Sequence, residues 1–371
     1  MSQVILGLTG FYLEPAAALI VEGRLAAAFF EDEVASRSAA GAFPSQAVAR
    51  CLSAAGLGPS DVGYIGFGDK PRARFRRVVE TGVQCGGRSS FSQSLLPWLR
   101  TRLHVASLLR AEVAPNFQGA ILFAEHHEAL AAAAYFASPW SDAAFMSLDG
   151  IGEYAAGAIG IGQGNRINIT HQARFPHGLG VLHSACCLHL GLNPAARTDP
   201  LTPWANGGSP RFRDRLLRDA VELRTNGSIY LRPTHFDFSS GGRLVTPNLD
   251  RLFEGTSPST TSHTNREPDQ RERDVAASVL AVIEEAALRT AQYLRQQHAR
   301  DHLVVAGMRT PGWLARVHGA GIFANVWTPP ATAASSAAAG AAWLVHHHVL
   351  GAPRVPASAR AAEPEPLGAL P

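Results

Sequence analysis

The chain contains the same strand–turn–strand pattern twice, in residues 4–30 and again in residues 145–169. Each copy begins with an apolar run that ends in small residues. It continues through an acidic residue to an alanine-rich run and then turns, at glycine and arginine, into a third run. Apolar runs joined by glycine-containing turns are typical of β-hairpins. A duplication at this distance favours two similar lobes over a solenoid, and lobes that face each other across a cleft provide a ligand site.

Acidic residues follow the first strand of the second copy. Asp149 lies between an apolar run and Gly150, and Glu153 comes shortly after it. A glycine beside an aspartate lets backbone approach a ligand while the carboxylate holds a metal or polarises a nucleophile. Spacing alone favours the alternative that Asp149 caps its own turn, whereas the repeat favours a ligand site. Asp149 and Glu153 are therefore candidate catalytic residues.

Lysine is almost absent from the chain. Lys70 is the only one, so any chemistry that needs a lysine amine depends on it, and it is the third candidate catalytic residue. Four arginines surround Phe75 in residues 72–77. For this cluster a solvated helix face is the favoured interpretation.

Composition limits the classes of function. A length of 371 residues suggests two or three domains, and 46% hydrophobic with 17% charged residues indicates an ordinary globular protein. A net charge of +3 is weak support for a nucleic-acid partner. Acidic residues are interleaved with the arginines of residues 211–224, which makes nucleic-acid binding still less expected.

The cysteines and the start of the chain point to the cytoplasm. The four cysteines show no CxxC spacing, which predicts reduced thiols and no zinc site built on them. Charged residues such as Glu14 and Arg24 interrupt the first apolar runs, so neither a signal peptide nor a membrane span is expected there.

The rest of the chain predicts helices that cover two sheets. We expect a first lobe in residues 1–120, a second in residues 121–350 and a disordered tail in residues 351–371, which are rich in proline and alanine. The alanine-dense stretches at 131–138 and 333–345 predict closely packed helices. That packing would be either across an interface with a partner or inside each lobe.

Together these motifs resemble the NodU-type carbamoyltransferases of nodulation and antibiotic biosynthesis. The resemblance is to their amino-terminal domain, a relative of the tRNA threonylcarbamoyl transferases, and it runs through residues 3–345. It is carried by Gly7-Leu8-Thr9-Gly10-Phe11-Tyr12, Asp69-Lys70-Pro71, Glu125-His126-His127, Leu148-Asp149-Gly150-Ile151-Gly152-Glu153 and Gly340-Ala341-Ala342. It implies a duplicated actin-like (ribonuclease H-like) α/β fold with two lobes and mixed sheets. Family members usually continue with a YrdC-like domain that makes carbamoyl-adenylate, and this sequence stops where that domain would begin.

The sequence departs from the family at the implied metal site. The family binds a divalent metal with two aspartates and two histidines four residues apart, which share one helix face. His126 and Asp149 match two of these ligands, but Leu130 and Ala334 stand at the other two positions. His127 lies about 100° around the helix from His126 and is a poor substitute. We expect at most weak binding of iron or zinc, by His126 and Asp149.

The implied nucleotide site departs as well. The family's first-turn His-Asp pair appears as Leu13-Glu14, and its Lys-Val-Met-Gly-Leu-Ala-Pro-Tyr-Gly segment corresponds to residues 197–205. Its phosphate-binding glycine turn corresponds to residues 307–312, where Met308 adds bulk and Pro311 removes a backbone donor. Poor ATP binding is therefore expected.

Three hypotheses follow for the function. The first is a degenerate, non-catalytic subunit that pairs with an active carbamoyltransferase homologue in a biosynthetic pathway of the natural-product type. The alternative is a stand-alone O- or N-carbamoyl transfer domain that uses carbamoyl-adenylate supplied by a separate protein. An RNA-binding module is the least favoured of the three. Whether the chain is an enzyme depends on the first two, and the sequence does not name a small-molecule acceptor.

Overall fold

Two five-stranded sheets with equivalent strand orders form the framework of the protein. In chain order the strands are β1 (Val4–Thr9), β2 (Ala16–Val21), β3 (Arg24–Phe30), β4 (Tyr64–Phe67), β5 (Ala120–Phe123), β6 (Asp142–Leu148), β7 (Ala155–Gln163), β8 (Arg166–Arg174), β9 (Val221–Leu223), β10 (Ile229–Leu231), β11 (His302–Gly307) and β12 (Asn325–Trp327). The computed structural model describes residues 3–11, 14–34, 42–84, 89–113, 117–194, 199–238, 244–258, 266–308, 311–330, 332 and 336–354.

The pairing of the strands explains the sequence repeat. The first sheet has the order β3-β2-β1-β4-β5, and the second has the order β8-β7-β6-β11-β12. In each sheet the first three strands in the chain form an antiparallel meander, and the last two are parallel to the central strand. The two repeated segments therefore occupy equivalent places. This confirms the predicted duplicated, actin-like two-lobe α/β fold with mixed sheets.

Helices cover both faces of the sheets. They are α1 (Glu31–Val34), α2 (Ser45–Ala54), α3 (Pro71–Gln84), α4 (Ser89–Arg100), α5 (Val105–Val113), α6 (His126–Ala137), α7 (Leu179–His189), α8 (Leu201–Ala205), α9 (Arg213–Asp219), α10 (Pro247–Leu252), α11 (Gln270–His298), α12 (Pro311–Gly319) and α13 (Ala337–Leu344). Short 3₁₀ turns lie at Pro59–Asp61 and Arg102–His104, and a π-helical turn at Val345–Val349 follows α13.

The two alanine-dense helices, α6 and α13, lie between the sheets. The helix α6 packs on β6, β7, β8 and β11 of the second sheet, and α13 packs on β1, β2 and β4 of the first. The two helices also pack on each other, and nearly all their residues are buried. Their small side chains thus serve close packing inside the molecule. Of the two alternatives left open by the sequence, the interior one is confirmed and the surface one is wrong.

The outer face of the second sheet is covered mainly by α11. Asp269 caps this helix by accepting a hydrogen bond from the Glu272 amide, and the Glu272 side chain reaches back to the Asp269 amide. The apolar positions Val275, Val279 and Ile283 are buried against the sheet, as the helical period predicts.

No helix in the described part of the chain is long and apolar enough to cross a bilayer. Most of the expected tail, residues 355–371, lies outside the described residues.

Candidate functional site

Three chain segments bring the predicted site residues together where the two lobes meet. Lys70 follows β4 and precedes α3, His126 is the first residue of α6, and Asp149 and Glu153 lie on the connection between β6 and β7. The strand β6 is central in its sheet and β4 lies beside the central strand β1, and the segments that follow both strands meet at this junction. The repeat in the sequence therefore places all four predicted residues around one cleft.

His126 and Asp149 form a direct pair. The His126 Nε2 atom lies 2.8 Å from the Asp149 Oδ2 atom, and 38% of the Asp149 side chain is exposed to the cleft. Although burial opposes ionisation, the hydrogen bond from His126 and its charge lower the pKa of Asp149 to about 2. Burial also disfavours a charged imidazole, but the same hydrogen bond raises the pKa of His126 above its usual value. The hydrogen bond between the two side chains thus favours the charged form of each partner.

Glu153 binds backbone rather than facing the cleft. Its carboxylate accepts hydrogen bonds from the Lys70 amide at 2.8 Å and from the His126 amide at 3.1 and 3.2 Å. The side chain is only 4% exposed, and burial, together with the charge of Asp69, raises its pKa. A carboxylate at the start of α6 satisfies a free amide and interacts favourably with the helix dipole. Glu153 therefore connects the first lobe to α6.

Lys70 lies on the rim of the cleft. Its ammonium group is 3.3 Å from the Glu125 Oε1 atom, and both side chains are about 40% exposed. The Glu125 carboxylate also accepts a hydrogen bond from the Gln172 side chain. The one lysine amine of the chain thus stands at the site where the sequence places it, paired with a carboxylate.

Arg74 is a residue whose place the sequence did not predict. Its guanidinium donates to the Asp69 carboxylate at 2.7 Å and to the Ile151 carbonyl at 2.9 Å. Because Arg74 is buried between the lobes, the expectation of a solvated helix face is wrong for this position. Arg77 also turns inward, over the ring of Phe175, and burial lowers its pKa to about 10. Arg74 lies two residues from each of the exposed Arg72 and Arg76, so helical spacing places it on the opposite side of the helix, and this signal could have predicted its burial.

Comparison with known proteins decides the family. Residues 4–343 match the family described as "Carbamoyltransferase N-terminus". The chain belongs to this carbamoyltransferase family. It is 31% identical over 356 residues to the uncharacterized protein sll1178 of Synechocystis, covering 93% of this chain and 57% of that protein. It is 25% identical over 338 residues to the nodulation protein NolNO of Sinorhizobium fredii, covering 86% and 44%. The chain thus spans about half the length of the curated relatives it matches.

Solved structures of similar overall extent include sugar kinases. A ROK family glucokinase from Streptomyces griseus, in complex with glucose and AMPPNP, matches with a TM-score of 0.40 and 14% identity, over 92% of this chain and 98% of that one. The HypF protein of T. kodakarensis matches with a TM-score of 0.36 and 12% identity, over 94% and 48%.

The residues around the pair do not fit the divalent metal that the family resemblance implies. Leu130, one helical turn after His126, is 6% exposed and packs in the apolar interior between the sheets. The His127 Nδ1 atom is 3.0 Å from the Ser147 hydroxyl, and burial and the charge of His126 lower the pKa of His127 to about 3. Within the described ranges no group of three or more His, Cys, Asp or Glu side chains is arranged to hold a metal ion. Ala334 lies outside those ranges.

The implied phosphate turn is closed onto the second sheet. The Met308 amide donates a hydrogen bond to the Leu148 carbonyl, and the Met308 side chain packs against the outer core of the second lobe. An amide that is used in this way is not available to a phosphate oxygen. The family positions at Leu13, 197–198 and 309–310 lie outside the described residues.

The remaining histidine and cysteine clusters have structural partners. His346 bonds the Gln3 side chain, His347 bonds the Ala352 carbonyl, and His348 accepts from the Ile167 amide. Three consecutive histidines thus face three directions, as expected from their helical positions. His183 pairs with Asp199 at 2.7 Å, and the buried Cys187 thiol lies 3.7 Å from the other ring nitrogen of His183.

Proposed function

We propose that this carbamoyltransferase-family chain serves a biosynthetic pathway as a non-catalytic subunit beside an active homologue. One observation carries the proposal. His126 and Asp149 are bonded directly to each other, and the apolar Leu130 occupies the position on the same helix face from which a second histidine would reach a shared ion.

The electrostatics of the pair support this proposal. A divalent transition metal usually needs at least three protein ligands, and protonation or a change of rotamer cannot turn a leucine into a donor. The Asp149 carboxylate, which would otherwise attract a cation, already shares one of its oxygens with the imidazole of His126. A metal ion that took the His126 Nε2 atom as a ligand would first have to break this hydrogen bond.

The preserved framework supports a role as a subunit. The lobes remain joined through Glu153 and Arg74, and the inter-sheet helices are closely packed. On the outside, α3 and α4 expose Val83, Leu96 and Leu99 to solvent. Leu96 and Leu99 lie three residues apart on one face of α4, and neighbouring exposed apolar side chains are typical of a protein-binding face, which a partner subunit requires.

The test begins with the chain purified alone. Given ATP, carbamoyl phosphate and a panel of candidate acceptors, it should transfer no carbamoyl group, while a full-length family homologue assayed in parallel provides the positive control. Co-expressed with such a homologue, the chain should co-purify with it. The double variant Leu96→Glu/Leu99→Glu should abolish the complex. Val349→Glu, which alters an equally exposed apolar side chain at another place, should leave the complex intact.

The opposite outcome is equally clear. Robust transfer by the single chain, abolished by Asp149→Ala, would overturn the proposal. It would favour a stand-alone transfer domain that receives carbamoyl-adenylate from a separate protein.

A further inference from the structure

A cavity of about 370 Å³ lies on the outer face of the second sheet. It is bounded by β7 and β8, the start of α7, the later part of α11 and the ribbon β9–β10. Successive strand residues face opposite sides of a sheet. Ser147 faces α6 and bonds His127, whereas Leu148 faces the outer core and lines the cavity. The sheet therefore separates the cavity from α6 and from His126 at its start.

The floor of the cavity is apolar, and its wall carries flat rings. The lining residues that also belong to the buried core of the second lobe are Leu148, Ala156, Ile159 and Leu179. The rings of His177 and Tyr230 lie 4.2 Å apart at 35°, and the rings of His171 and Tyr293 lie 5.4 Å apart, edge to face. An apolar floor with flat rings beside it favours a ligand with a planar, apolar body.

The charged lining residues leave the cavity without a group for an ionic ligand. Arg224 is paired with the Glu222 carboxylate at 3.0 Å. Arg174 lies on the same sheet face as Gln172, two residues before it, and the Gln172 side chain bonds Glu125 on the α6 side of the sheet. Among the described residues no Asp or Glu lines the cavity. A ligand there is therefore expected to be neutral, because burying an unpaired charge is costly.

Most of the other polar side chains in the lining are already bonded within the protein. Both ring nitrogens of His171 are used, one by the Thr170 hydroxyl and the other by the Tyr293 hydroxyl. The Asn226 side chain accepts from the hydroxyl and the amide of Ser228. These groups leave little for a ligand with many polar atoms, such as a sugar, to bind.

His177 is the exception. Its Nδ1 atom accepts a hydrogen bond from the Leu231 amide at 3.2 Å. Burial and the charge of Arg224 lower the pKa of His177, so its ring is neutral near pH 7. A neutral imidazole whose Nδ1 atom is an acceptor carries its proton on Nε2. This Nε2–H group has no hydrogen-bond partner in the described part of the chain, and the residue lines the cavity. His177 therefore offers one neutral donor to a ligand.

The cavity is held in shape by a tight turn. Gly227, between β9 and β10, has a φ of 82°, and a Cβ atom there would lie 2.5 Å from the Ala286 carbonyl oxygen of α11. Only glycine allows this approach of two backbones. The ribbon that carries Tyr230 is thus fixed against α11, and a preformed pocket binds a ligand without ordering its walls first.

We propose that this cavity is a binding site for a small, neutral compound with a planar, apolar body and one carbonyl acceptor, such as an aromatic ketone. The volume falls within the range of about 300–1,000 Å³ that is usual for small-molecule sites. The ring would lie on the apolar floor beside Tyr230, and the carbonyl oxygen would accept a hydrogen bond from the His177 Nε2 atom. Such binding does not depend on whether the cleft transfers a carbamoyl group.

The test measures binding of three probes to the full chain by ligand-observed NMR and calorimetry. Acetophenone should bind. Isopropenylbenzene has the same shape, with a methylene group in place of the carbonyl oxygen. Benzoate should bind at least about tenfold more weakly than acetophenone, because the cavity holds no unpaired cation for its carboxylate. No binding of acetophenone, or equally tight binding of benzoate, would overturn the proposal.

A variant of the donor tests the hydrogen bond. His177→Phe keeps a ring at this position and removes the Nε2–H group. The ratio of acetophenone affinity to isopropenylbenzene affinity should fall about two- to tenfold in this variant, because one hydrogen bond is lost. A ratio taken within one protein cancels any general effect on the shape of the cavity. His318→Phe, at an exposed position of α12 outside the cavity, should leave the ratio unchanged.

Two further variants locate the site. Ala173 lines the cavity from β8 and is only partly buried, so Ala173→Phe should fill the cavity and weaken acetophenone binding at least about tenfold. Its thermal midpoint shows whether it has folded, and the affinity ratio of His177→Phe remains decisive if it has not. Asp149→Asn, in the cleft, should bind acetophenone like the parent. An unchanged ratio in His177→Phe, unchanged binding in folded Ala173→Phe or loss of binding in Asp149→Asn would contradict the assignment.

Discussion

The backbone of Gly340 in α13 lies directly against the carbonyl oxygen of Ala129 in α6. A Cβ atom built at Gly340 would be 1.7 Å from that oxygen. Neither atom belongs to a flexible side chain, so the contact fixes how closely the two helices approach. Since α13 packs on the first sheet and α6 on the second, this contact also sets the distance between the lobes.

Gly340→Ala should therefore destabilise the protein. Alanine improves helix propensity by about 1 kcal/mol, but inserting a methyl group into a packed interior costs about 1–3 kcal/mol, and more where only backbone can yield. We expect a net loss of about 2 kcal/mol in the free energy of unfolding, measured by urea denaturation. Gly319→Ala, at the end of α12 with open space around it, should be neutral or stabilising. Equal effects would contradict the close contact.

Metal analysis should find less than one iron or zinc per chain, lost on brief chelation. The described donors supply only His126 and Asp149. Leu130→His combined with Ala334→Asp restores the family's ligand types and should bring zinc content close to one per chain. Leu130→Asn combined with Ala334→Asp controls for polarity without an imidazole. A tightly held ion in the parent would show that the ligand set includes another group, such as His127, His183 or Glu153.

Glu153→Gln should weaken the junction between the lobes. The amide side chain keeps one acceptor oxygen but turns a donor towards the backbone amides that Glu153 now binds. A buried donor left unsatisfied costs about 1–3 kcal/mol, so we expect a loss of about 2 kcal/mol in unfolding free energy. Glu125→Gln removes an exposed ion pair with Lys70 and should cost less than about 1 kcal/mol. Similar losses of unfolding free energy in Glu153→Gln and Glu125→Gln would show that Glu153 contributes only as a surface charge does.

Stability should fall as the pH falls from about 6.5 towards 4. Burial lowers the pKa of His127 to about 3, and burial also lowers the pKa of His189 and of His347 to about 4, from a usual value of 6.5. In this window the unfolded chain takes up protons that the folded chain does not, so stability is fully present above pH 6.5 and is lost below it. The raised pKa values of His126, Glu128 and Glu153 act in the opposite direction. The histidines predominate because burial also lowers the pKa of five more of them: His177, His235, His298, His346 and His348.

The measurement is the urea midpoint at pH 7.5, 6.5, 5.5 and 5.0. His347 stacks on Trp343 with ring centroids 5.4 Å apart, so His347→Phe keeps the packing and removes one buried imidazole. The pH dependence of this variant should be shallower by about one proton. An unchanged slope would show that His347 does not contribute to the acid sensitivity.

Part of the candidate site could be predicted from the sequence because its signals are local. The position of Asp149 follows from a strand that ends in Asp-Gly, and that of His126 from a helix that begins at Glu-His-His. Duplication of the strand pattern then brings both to one cleft. The role of Glu153 could not be predicted from the sequence, because its partners are the backbone amides of residues 70 and 126. A pattern of side chains does not reveal such contacts.

The sequence by itself determined the two sheets, the repeat that relates them and the covering helices, since hydrophobic periodicity and turn residues act over a few neighbouring positions. Tertiary structure alone decided which way Arg74 turns and that α6 and α13 face each other rather than a partner. It also decided that a cavity lies on the outer face of the second sheet, lined by residues of β7, β8 and α11. These properties depend on contacts between segments that are far apart in the chain. The local sequence pattern is compatible with several arrangements of these segments, and packing and burial select one of them.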